Sequence, residues 1–366
     1  MHKSKILYIY SEQPDYVRVD KVLDTLSDLD ASFFYVGCLR GGQSKRKYRQ
    51  RLNLTYHMAN LNIPHGGVMS ALKTLFFLFY SIYKVAIIKP DLIIAVNEEL
   101  ALPFVILFPR VPVICEAYDS LSMRAKKNSV ITAYCLKKIS RFVLSRCTGL
   151  IEVSEERLQA HVKKPKNYFI VPNSLKMDND SNNTRIHNHI KKIVKKNSFI
   201  FVSGSFSDNI NGIEQLLDSI EFFNGKLTVI AAGRPNGEWV NKVFINHRFV
   251  NYIGTVTPQE AFYLASQSKG IFAYYKPISE LYRFAAPNKI FDAMAVGIPI
   301  LINSDCKASE FANKRGFALT SKYDDKDTLV RNLGDALNET YSFNKDSLMK
   351  SFVDSYEWTV VSKKYK

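Results

Sequence analysis

A lysine and an aspartate one helical turn apart are the residues of this sequence best suited to bind an anionic ligand. They are Lys289 and Asp292, in the segment "APNKIFDAMAVGIPILINSD". The first turn of a helix has free backbone N–H groups and a partial positive charge, and Lys289 would add a full charge there for a phosphate. Asp292 could accept two hydrogen bonds from a ribose diol. The spacing alone leaves open an ordinary intrahelical pair worth about 0.3 kcal/mol.

The helix that carries this pair is predicted over residues 287–296. Pro287 suits the first helical position, Gly297 suits the residue after the last turn, and Pro299 prevents continuation. Apolar residues recur within the segment at helical spacing, so one side would pack on a core while another side carries Lys289 and Asp292.

Short apolar runs alternate with longer helical patterns along the chain, which is typical of parallel α/β units. A first series of predicted strands comprises "KILYIY", "ASFFYVG", "PDLIIAV", "VPVICEA", "GLIEVS" and "NYFIVP". A second series comprises "SFIFVSG", "KLTVIAAG", "FVNYIG", "GIFAYY" and "IPILIN". We therefore expect an α/β protein with two doubly wound parallel-sheet domains, which leave a central cleft between the carboxyl ends of both sheets for ligands.

The domain boundary is predicted in the most polar part of the chain, a linker at 174–197. The N-terminal domain would cover 1–173 and the C-terminal domain 198–345. The remaining residues, 346–366, would form a helical tail able to pack on either domain. A chain of 366 residues is long enough for two cores.

Composition indicates a globular protein with an acidic partner. Hydrophobic residues make up 46% and charged residues 23% of the chain, a profile typical of soluble domains. Fifty Lys and Arg against 34 Asp and Glu leave a net charge of +16, which favours nucleic acid, an anionic membrane surface or a phosphorylated small molecule. The five cysteines are scattered without a C-x-x-C pair, which predicts free thiols in a reducing compartment.

The apolar segments predict a cytoplasmic protein. The N-terminal "MHKSKILYIYSEQPDY" has too short an apolar run for a signal peptide and is interpreted as a first strand. The most apolar segment, "ALKTLFFLFYSIYKVAIIKPD", is interrupted by Lys73 and Lys84, so no uncharged run approaches the ~20 residues of a transmembrane helix. We interpret it as a helix packed on a sheet in preference to a membrane-inserted one.

Basic runs concentrate in the N-terminal half. They are "QSKRKYRQR" (43–51), "RAKKN" (124–128), "KKISRF" (137–142) and "KKPK" (163–166). One such run is usually a solvated surface, but several beside an apolar helix favour docking on anionic lipid. The sequence therefore predicts peripheral association with the inner face of the cytoplasmic membrane and an acceptor carried on a lipid.

The segment around Lys289 resembles the signature of GT-B glycosyltransferases of the large retaining group often called group 1 or family 4. There a "PNKLFEYMAAGKPVI"-type segment binds the nucleotide of an activated sugar. Further segments resemble that family in the same order: "PDYVRVDKVLDTL", "KPDLIIAVNEELALP", "VPVICEAYDSLS", "GLIEVSEERLQAHV", "YFIVPNS", "FVSGSFSDNINGIEQLLDSI", "LTVIAAGRPNG" and "VNYIGTV". The resemblance covers most of residues 5 to 320. It implies the GT-B fold, with two Rossmann-like domains facing a central cleft.

The resemblance also implies the site residues. Candidate donor-binding residues are Gly204, Ser205, Arg234, Tyr252, Arg283, Pro287, Asn288, Lys289 and Asp292. Candidate acceptor-binding residues are Asp15, Arg18, Asn97, Glu98 and Tyr118, and candidate catalytic residues are Asp119, Glu116 and Lys289. Alternatives stay open: the two carboxylates could be strand-end caps, Arg234 a surface cation, and Tyr252, like Trp239, a core aromatic.

Several positions depart from the family pattern. Asn211 stands where a basic residue usually grips the diphosphate, Phe284 stands where many relatives have a glutamate, and Asp292 and Tyr118 replace a Glu and a His. We expect Lys289, Arg234 or Arg283, with backbone N–H groups near Gly204 and Ser205, to supply the missing charge. Glu280 is the candidate for the missing carboxylate.

The implied reaction moves a hexose-type sugar from a nucleotide-diphosphate sugar, with UDP or GDP, to a saccharide acceptor with retention of configuration. Charge on the leaving diphosphate would be stabilised by the helix start, Lys289 and an arginine. No Asp-x-Asp strand-end motif of the metal-using class occurs, so no metal and no cofactor are expected. The anomeric centre becomes oxocarbenium-like. Retention without a covalent nucleophile implies front-face attack, with the leaving phosphate helping to deprotonate the acceptor.

Three other functions stay open at this stage. A nucleotide-sugar epimerase would bind the same donor, although the basic N-terminal domain argues against it. A non-catalytic nucleotide-sugar-binding protein is consistent with Asn211 and Phe284. Nucleic-acid binding rests on charge alone, without a recognition motif, and is not expected. The preferred role is in surface polysaccharide synthesis, such as capsule, O-antigen or lipopolysaccharide.

Overall fold

The computed structural model describes residues 3–41, 48–64, 66–124, 130–177, 188–194 and 197–365. The chain divides into two compact units. Unit 1 is Met1–Asn173 with Ser362–Lys366, and unit 2 is Ser174–Val361. Each unit has one parallel sheet flanked by helices, which confirms the α/β class and the two doubly wound domains.

Unit 1 contains a seven-stranded sheet. Its strands are β1 (Lys5–Ile9), β2 (Ser32–Arg40), β3 (Leu54–Ile63), β4 (Leu92–Val96), β5 (Val113–Glu116), β6 (Gly149–Glu152) and β7 (Tyr168–Ile170). They lie in the order β3-β2-β1-β4-β5-β6-β7, and every pairing is parallel. The order reverses between β1 and β4, which is where doubly wound domains bind ligands.

Helices connect these strands. They are α1 (Val17–Ser27), α2 (Val68–Ile88), α3 (Glu98–Leu107), α4 (Leu121–Arg124), α5 (Val130–Arg146) and α6 (Glu155–Ala160). The inner sides of α2, α3 and α5 meet the sheet in one hydrophobic cluster, to which they contribute Phe77, Phe104 and Val143. These three helices therefore cover the same face of the sheet.

Unit 2 contains a six-stranded parallel sheet. Its strands are β8 (Ser198–Ser207), β9 (Leu227–Asn236), β10 (Val250–Tyr252), β11 (Gly270–Phe272), β12 (Ile300–Asn303) and β13 (Ala318–Ser321). The order β10-β9-β8-β11-β12-β13 reverses between β8 and β11. Hydrophobic clusters cover both faces of this sheet.

The helices of unit 2 are α7 (Asn188–Val194), α8 (Ile213–Ile220), α9 (Glu238–Lys242), α10 (Pro258–Gln267), α11 (Glu280–Arg283), α12 (Lys289–Val296), α13 (Ala308–Lys314), α14 (Lys326–Asn338), α15 (Lys345–Ser355) and α16 (Trp358–Val361). Helix α12 begins two residues later than predicted and ends as predicted, because Gly297 adopts the left-handed conformation that terminates a helix. Its residues Ile290 and Met294 are buried in the core.

Every strand predicted from the sequence is present, whereas two strands were not foreseen. Strand β3 lies at an edge of its sheet and mixes polar with apolar residues ("LTYHMANLNI"), so it lacks the continuous apolar run of a buried parallel strand. Strand β13 is also an edge strand and is only four residues long ("ALTS"). Edge position explains both omissions.

The linker and the tail are more structured than expected. Within the predicted linker at 174–197, residues 178–187 and 195–196 lie outside the described residues, and Asn188–Val194 form α7. The predicted tail at 346–366 divides between the units. Helix α16 is held in unit 2, where the Trp358 N–H donates to the Leu175 carbonyl at 3.0 Å. The final 3-10 turn, Ser362–Tyr365, belongs to unit 1.

Helix α2 packs on the sheet, as expected, but by one side only. Its buried residues are Phe77, Ser81, Val85 and Ile88. By length and composition it is also the one helix in the described chain that could cross a membrane. Of the basic runs, 43–47 and 125–128 lie outside the described residues. All five cysteines are free, as predicted.

Substitution of Gly233 tests the close approach of β8 and β9. Gly204 and Gly233 are register partners, and a Cβ on Gly233 would lie 1.8 Å from the Gly204 carbonyl oxygen. Gly233→Ala would combine backbone strain, at φ 145°, of about 1–3 kcal/mol with an overpacking cost of about 1–3 kcal/mol.

The matched control for this prediction is Gly254→Ala. Gly254 has φ 73°, but a Cβ there meets no atom within 4 Å, so it incurs the backbone strain alone. We expect urea denaturation to show the larger loss of unfolding free energy for Gly233→Ala. Equal losses would mean that the two strands separate freely at this point.

Candidate active site

Lys289 lies at the start of α12 with its side chain beside Gly204 of strand β8. A Cβ on Gly204 would lie 3.6 Å from the Lys289 ammonium nitrogen. Lys289 is half-buried and lines a cavity of about 10 Å³ whose other walls come from the ends of β8 and β11 and the residues that follow them. These are the two strands between which the sheet order reverses, so Lys289 occupies the ligand-binding position of a doubly wound domain.

The electrostatic environment of Lys289 suits an anion. Burial lowers the pKa of Lys289, and the negative charge of Asp292 partly opposes this shift. Across the part of the chain that the structure describes, the ammonium makes no hydrogen bond or ion pair with protein. A desolvated ammonium of this kind gains more from a bound phosphate than one already paired with a carboxylate.

The rest of the predicted donor segment surrounds the same helix start. Pro287 is buried and Asn288 is exposed. Asn288 is the N-cap residue of α12, and its side chain makes no hydrogen bond to the first turn of the helix. Asp292 is half-buried one turn further on. The structure therefore brings Lys289 and Asp292 together on one helix, where the Ile290 and Phe291 N–H groups donate to the Pro287 and Asn288 carbonyls at 3.2 and 2.8 Å.

Strands β8 and β9 bring further donor candidates to this edge of the sheet. Gly204 has φ 93°, a conformation that favours glycine, and it precedes Ser205 near the end of β8. Ser205 lines the cavity beside Lys289. Arg234 is the register partner of Ser205 on β9, and its side chain is exposed. Gly204, Ser205 and one further cation thus lie at the carboxyl edge that also holds Lys289.

Asn211, which stands at the position of the missing family cation, lines the same cavity as Lys289. Its side-chain oxygen accepts a hydrogen bond from the Ser207 N–H at 2.8 Å. Asn211 therefore shapes the loop after β8, and the position carries no charge toward the cavity.

Other donor candidates have structural contacts. The Tyr252 hydroxyl donates to the Gly233 carbonyl at 3.1 Å, and its ring packs edge-to-face on Phe206. Trp239 stacks on the buried Phe244. Both aromatics lie against the core, as the alternative interpretation expects. Arg283 is exposed at the end of α11, where its Nε donates to the Pro277 carbonyl at 3.4 Å.

In unit 1, Asn97 shapes the loop after β5. Its side-chain oxygen accepts from the backbone N–H groups of Tyr118 at 2.8 Å and Asp119 at 2.9 Å. Asn97 has φ 66° and ψ 160°, a strained backbone conformation found almost only at glycine, so the loop holds it in place at some cost in energy. This geometry places Tyr118 and Asp119 at the carboxyl edge of the sheet, next to the reversal between β1 and β4.

Glu98 supports the same loop from inside the protein, which corrects its predicted contact with an acceptor. Its side chain is fully buried. The Ser120 and Ser140 hydroxyls donate to its Oε1 at 2.7 and 2.9 Å, and the Leu121 N–H donates to its Oε2 at 3.1 Å. Because both oxygens are engaged in the interior, Glu98 holds the loop in place.

Arg18 and Glu116 form a buried ion pair. The Arg18 Nε lies 2.9 Å from the Glu116 Oε1, and both side chains are at most 2% exposed. The hydroxyls of Tyr8 and Tyr365 also donate to this carboxylate, each at 2.6 Å. Burial, together with Glu116, raises the pKa of Tyr8.

This ion pair corrects two predictions. Glu116 was expected to act on substrate and Arg18 to bind an acceptor. Their charged groups face each other inside unit 1, and Arg18 also donates to the Val171 carbonyl at 3.1 Å. Glu116 of β5 thus joins Tyr8 of β1, Arg18 of α1 and Tyr365 of the final turn at the sheet edge.

Three tyrosines form an aromatic cluster at the carboxyl edge of unit 1. We define this tyrosine cluster as Tyr10, Tyr16 and Tyr118. The Tyr118 ring lies 5.3 Å from Tyr10 and 6.1 Å from Tyr16, measured between centroids. Tyr16 is 47% exposed, and Asp15 and Asp119, each adjacent in sequence to one of these rings, are exposed. The cluster offers an apolar surface bordered by carboxylates.

Asp119 has an altered acidity. Partial burial raises its pKa, although Arg157 and Arg124 oppose the shift. Arg157 also fixes the loop, because its Nη2 donates to the Tyr118 carbonyl at 2.6 Å and its Nε pairs with Glu152 at 3.1 Å. Burial favours the neutral form of Glu152, but Arg157 and the hydrogen bond from His161 lower its pKa overall. Asp119 is thus the exposed carboxylate of a tightly held loop.

Several of these residues were not foreseen. They are Tyr8, Tyr10, Tyr16, Arg157, His161 and Tyr365. Tyr10 follows β1 and Tyr16 precedes α1, so a search for aromatics at the ends of strands and the starts of helices would have found them. Nothing in the sequence indicates that Tyr365 reaches Glu116. Among the described residues, no group of three or more His, Cys, Asp and Glu side chains could hold a metal ion.

No family model and no curated protein sequence matches this chain. Solved structures match it over nearly its whole length. Sucrose-phosphate synthase from Thermosynechococcus elongatus superposes with a TM-score of 0.77 at 11% identity, covering 99% of this chain and 97% of that chain. Anabaena Alr3699/HepE in complex with UDP gives 0.66 at 12% identity, covering 99% and 98%. WaaG, a glycosyltransferase involved in lipopolysaccharide biosynthesis, gives 0.69 at 9% identity, covering 98% of each chain.

The chain has the GT-B fold. At this level of identity the likeness shows the fold alone, which confirms the fold that the sequence resemblance implied. In the GT-B fold of this chain, the donor candidates Gly204, Ser205, Arg234 and Lys289 lie at the carboxyl edge of the unit 2 sheet. The acceptor candidates gather at the corresponding edge of the unit 1 sheet.

Removal of the Arg18 charge tests the buried ion pair. Arg18→Met leaves the Glu116 carboxylate buried without a cation, which typically costs about 3–5 kcal/mol of unfolding free energy. The control is Arg49→Met, because the Arg49–Asp24 pair is 68% exposed on the arginine side and worth at most about 1 kcal/mol. Urea denaturation compares the two. Similar losses for both variants would contradict the structural role assigned to Arg18.

Proposed function

We propose that this protein is a glycosyltransferase that moves a hexose-type sugar from a nucleotide-diphosphate sugar to a saccharide acceptor. The observation that carries the proposal is the half-buried, unpaired Lys289 ammonium at the start of α12, beside Gly204 of β8. The neighbours support it, since one solved structure holds UDP and another is of a glycosyltransferase. UDP or GDP is the proposed nucleotide.

Lys289 would act on the leaving group. Negative charge grows on the departing diphosphate during transfer, and a preorganised cation in a site shielded from water stabilises it without further rearrangement. The exposed Arg234 and the partial positive charge at the start of α12 would act on the same diphosphate. Asp292 would accept hydrogen bonds from the ribose. We propose that these groups replace a metal ion and that the reaction retains configuration.

The tyrosine cluster of unit 1 would bind the acceptor. A sugar ring has apolar C–H faces and a rim of hydroxyls, and an aromatic surface bordered by carboxylates complements both. The rings of Tyr16 and Tyr118 supply the surface, while Asp15 and Asp119 lie next to them in sequence. Asp119 is the proposed base, because it is the exposed carboxylate of the loop that Asn97 fixes.

The proposed acceptor is lipid-linked, as expected for capsule, O-antigen or lipopolysaccharide synthesis. The proposed location is the cytoplasm, at the inner face of the cytoplasmic membrane. The net charge of +16 and the basic runs at 137–142 and 163–166 support contact with an anionic surface.

A non-catalytic nucleotide-sugar-binding protein is the second candidate. The observation that favours it is Asn211, which lines the Lys289 cavity without a charge. Incubation with UDP- and GDP-sugars and a panel of saccharide acceptors separates the two functions. Acceptor-dependent nucleotide release supports transfer, whereas nucleotide binding without release supports the second candidate.

Substitution of Lys289 tests the donor site. We expect Lys289→Met to raise the dissociation constant for UDP or GDP about 10–100-fold, since a hydrogen bond to a charged group contributes about 1.5–3 kcal/mol. Isothermal titration calorimetry measures this change. Folding should not suffer, because the lowered pKa of Lys289 means that burial disfavours its charge, and methionine removes that cost.

Lys314→Met is the matched control for the donor site. Lys314 is an exposed cation of the same unit, at the end of α13. Its removal should leave nucleotide affinity unchanged. Equal affinities of the wild type and Lys289→Met would refute the donor site.

The pH dependence of kcat/KM tests Asp119 as the base. A base must be deprotonated, so activity should rise as pH increases through its pKa. Because burial raises that pKa, this limb should lie above the value of about 3.9 of a free aspartate. Asp119→Asn should remove the limb and slow transfer about 10²–10⁴-fold. Arg124→Gln should shift the limb to higher pH, because Arg124 lowers the pKa.

The control for the pH experiment is Asp218→Asn, an exposed carboxylate of unit 2. It should keep both the rate and the pH profile. An unchanged acidic limb in Asp119→Asn would assign the base to another residue.

A further inference from the structure

Helix α2 is apolar on two opposite sides. One side, with Phe77, Ser81, Val85 and Ile88, is buried. The other side is exposed to solvent by 46% to 63% at Leu72, Leu75, Phe76, Phe79, Tyr83 and Ile87. At about 100° per residue the two sets point in opposite directions. A helix on the surface of a water-soluble domain normally has polar residues on its outer side, so this outer side requires a partner.

The neighbouring helices extend this apolar surface. Helices α2, α3 and α5 cover the same hydrophobic cluster, so their outer sides adjoin. Ile106 and Leu107 at the end of α3 are 51% and 55% exposed. Val130, Ile131 and Tyr134 in the first turns of α5 are 86%, 77% and 58% exposed. We call the outer sides of α2, α3 and α5 the three-helix surface.

Cations are interleaved with these apolar groups. Lys137, Lys138 and Arg141 of α5 are exposed on the side that carries Tyr134. The Lys138 ammonium lies 4.7 Å from the centroid of the Tyr134 ring, and neither α2 nor α5 contains an acidic residue. Basic residues around exposed aromatic and aliphatic groups are typical of helices that lie in a membrane interface.

A groove at the border of the surface adds two guanidinium groups. It has a volume of about 250 Å³ and lies where α3 and α5 end, with Arg110 and Arg146 in its lining. Both arginines are exposed. Guanidinium groups bind phosphate through paired hydrogen bonds, so the groove suits a phospholipid headgroup.

We infer that the three-helix surface docks on an anionic lipid bilayer with α2 lying in the plane of the interface. A symmetric contact with a second copy would bury the α5 cations of both chains in one interface, to which neither α2 nor α5 brings an acidic residue to pair with them. Helix α2 does not span the bilayer in this arrangement, because Phe77 and Val85 anchor its inner side in the core. Its 21 residues, about 31 Å long, present an apolar strip to the acyl chains.

This inference rests on the proposed function only in the role given to docking, which is to bring the enzyme to a lipid-linked acceptor. Binding to vesicles requires neither donor nor acceptor. Lys289→Met should therefore bind vesicles like the wild type, so that failure of the donor site and failure of the docking surface are distinguished.

Flotation of the full chain with phosphatidylcholine vesicles, with and without phosphatidylglycerol, tests the surface. We expect binding to the anionic vesicles that weakens as salt increases. The double variant Phe76→Asp with Phe79→Asp should lose binding. Its control, Phe222→Asp, changes a phenylalanine of unit 2 that is 63% exposed and should bind normally.

A second set of variants tests the charges. The triple variant Lys137→Gln, Lys138→Gln and Arg141→Gln should lower vesicle partitioning on the order of 100-fold, at about fivefold for each cation. The control removes three exposed lysines of unit 2, Lys314, Lys322 and Lys350, and should change partitioning far less. Nucleotide affinity should be unchanged in both triple variants, which shows that they are folded.

The inference is overturned by any of three results. The first is equal vesicle binding of the wild type, the Phe76 and Phe79 double variant and the charge variant. The second is equal binding to vesicles with and without phosphatidylglycerol. The third is that the wild type does not bind vesicles and is a dimer by light scattering, whereas the Phe76 and Phe79 double variant is a monomer.

Discussion

Parallel pairing of every strand places all carboxyl ends of a sheet at one edge, and the candidate chemistry of this chain follows from that constraint. In unit 2 the edge brings Gly204 on β8, Arg234 on β9 and the start of α12 together. In unit 1 the same constraint places the tyrosine cluster and the loop after β5 beside the reversal between β1 and β4. The edge depends on close backbone approach, since a side chain at Gly233 would meet the Gly204 carbonyl.

The buried charges of the two units differ in how they are compensated. In unit 1, Glu116 is paired with Arg18, and Glu152 is paired with Arg157 and His161. Burial of a charge is tolerated only with such partners, so these groups organise the sheet edge. Lys289 in unit 2 is near the negative charge of Asp292, which partly opposes the lowering of its pKa by burial, but within the described residues it forms no ion pair like those of unit 1. A half-buried cation left in this state at a helix start is best explained by an anionic ligand.

The two-sided helix α2 connects the surface to the proposed chemistry. Its inner side stabilises unit 1 through Phe77 and Val85, whereas Phe76 and Phe79 on its outer side contribute nothing to that core. Retaining such residues at the surface costs solubility unless a lipid surface covers them. The same unit carries the tyrosine cluster, so one unit would hold both the membrane contact and the acceptor.

The sequence by itself determined the α/β class, the strands with continuous apolar runs, the end of α12 at Gly297 and the placement of Lys289 and Asp292 one turn apart on that helix, because these depend on local composition and spacing. It missed β3 and β13, whose edge positions permit polar residues and short length. Only the tertiary structure decided that Glu98 and Glu116 face inward, that Tyr365 reaches Glu116 across the length of the chain, and that α2 buries one apolar side and exposes the other. The burial of a side chain and its bonding partners depend on residues that are distant in sequence. Hydropathy indicates whether a residue prefers burial, but it does not indicate which side of a helix or strand packs on the core.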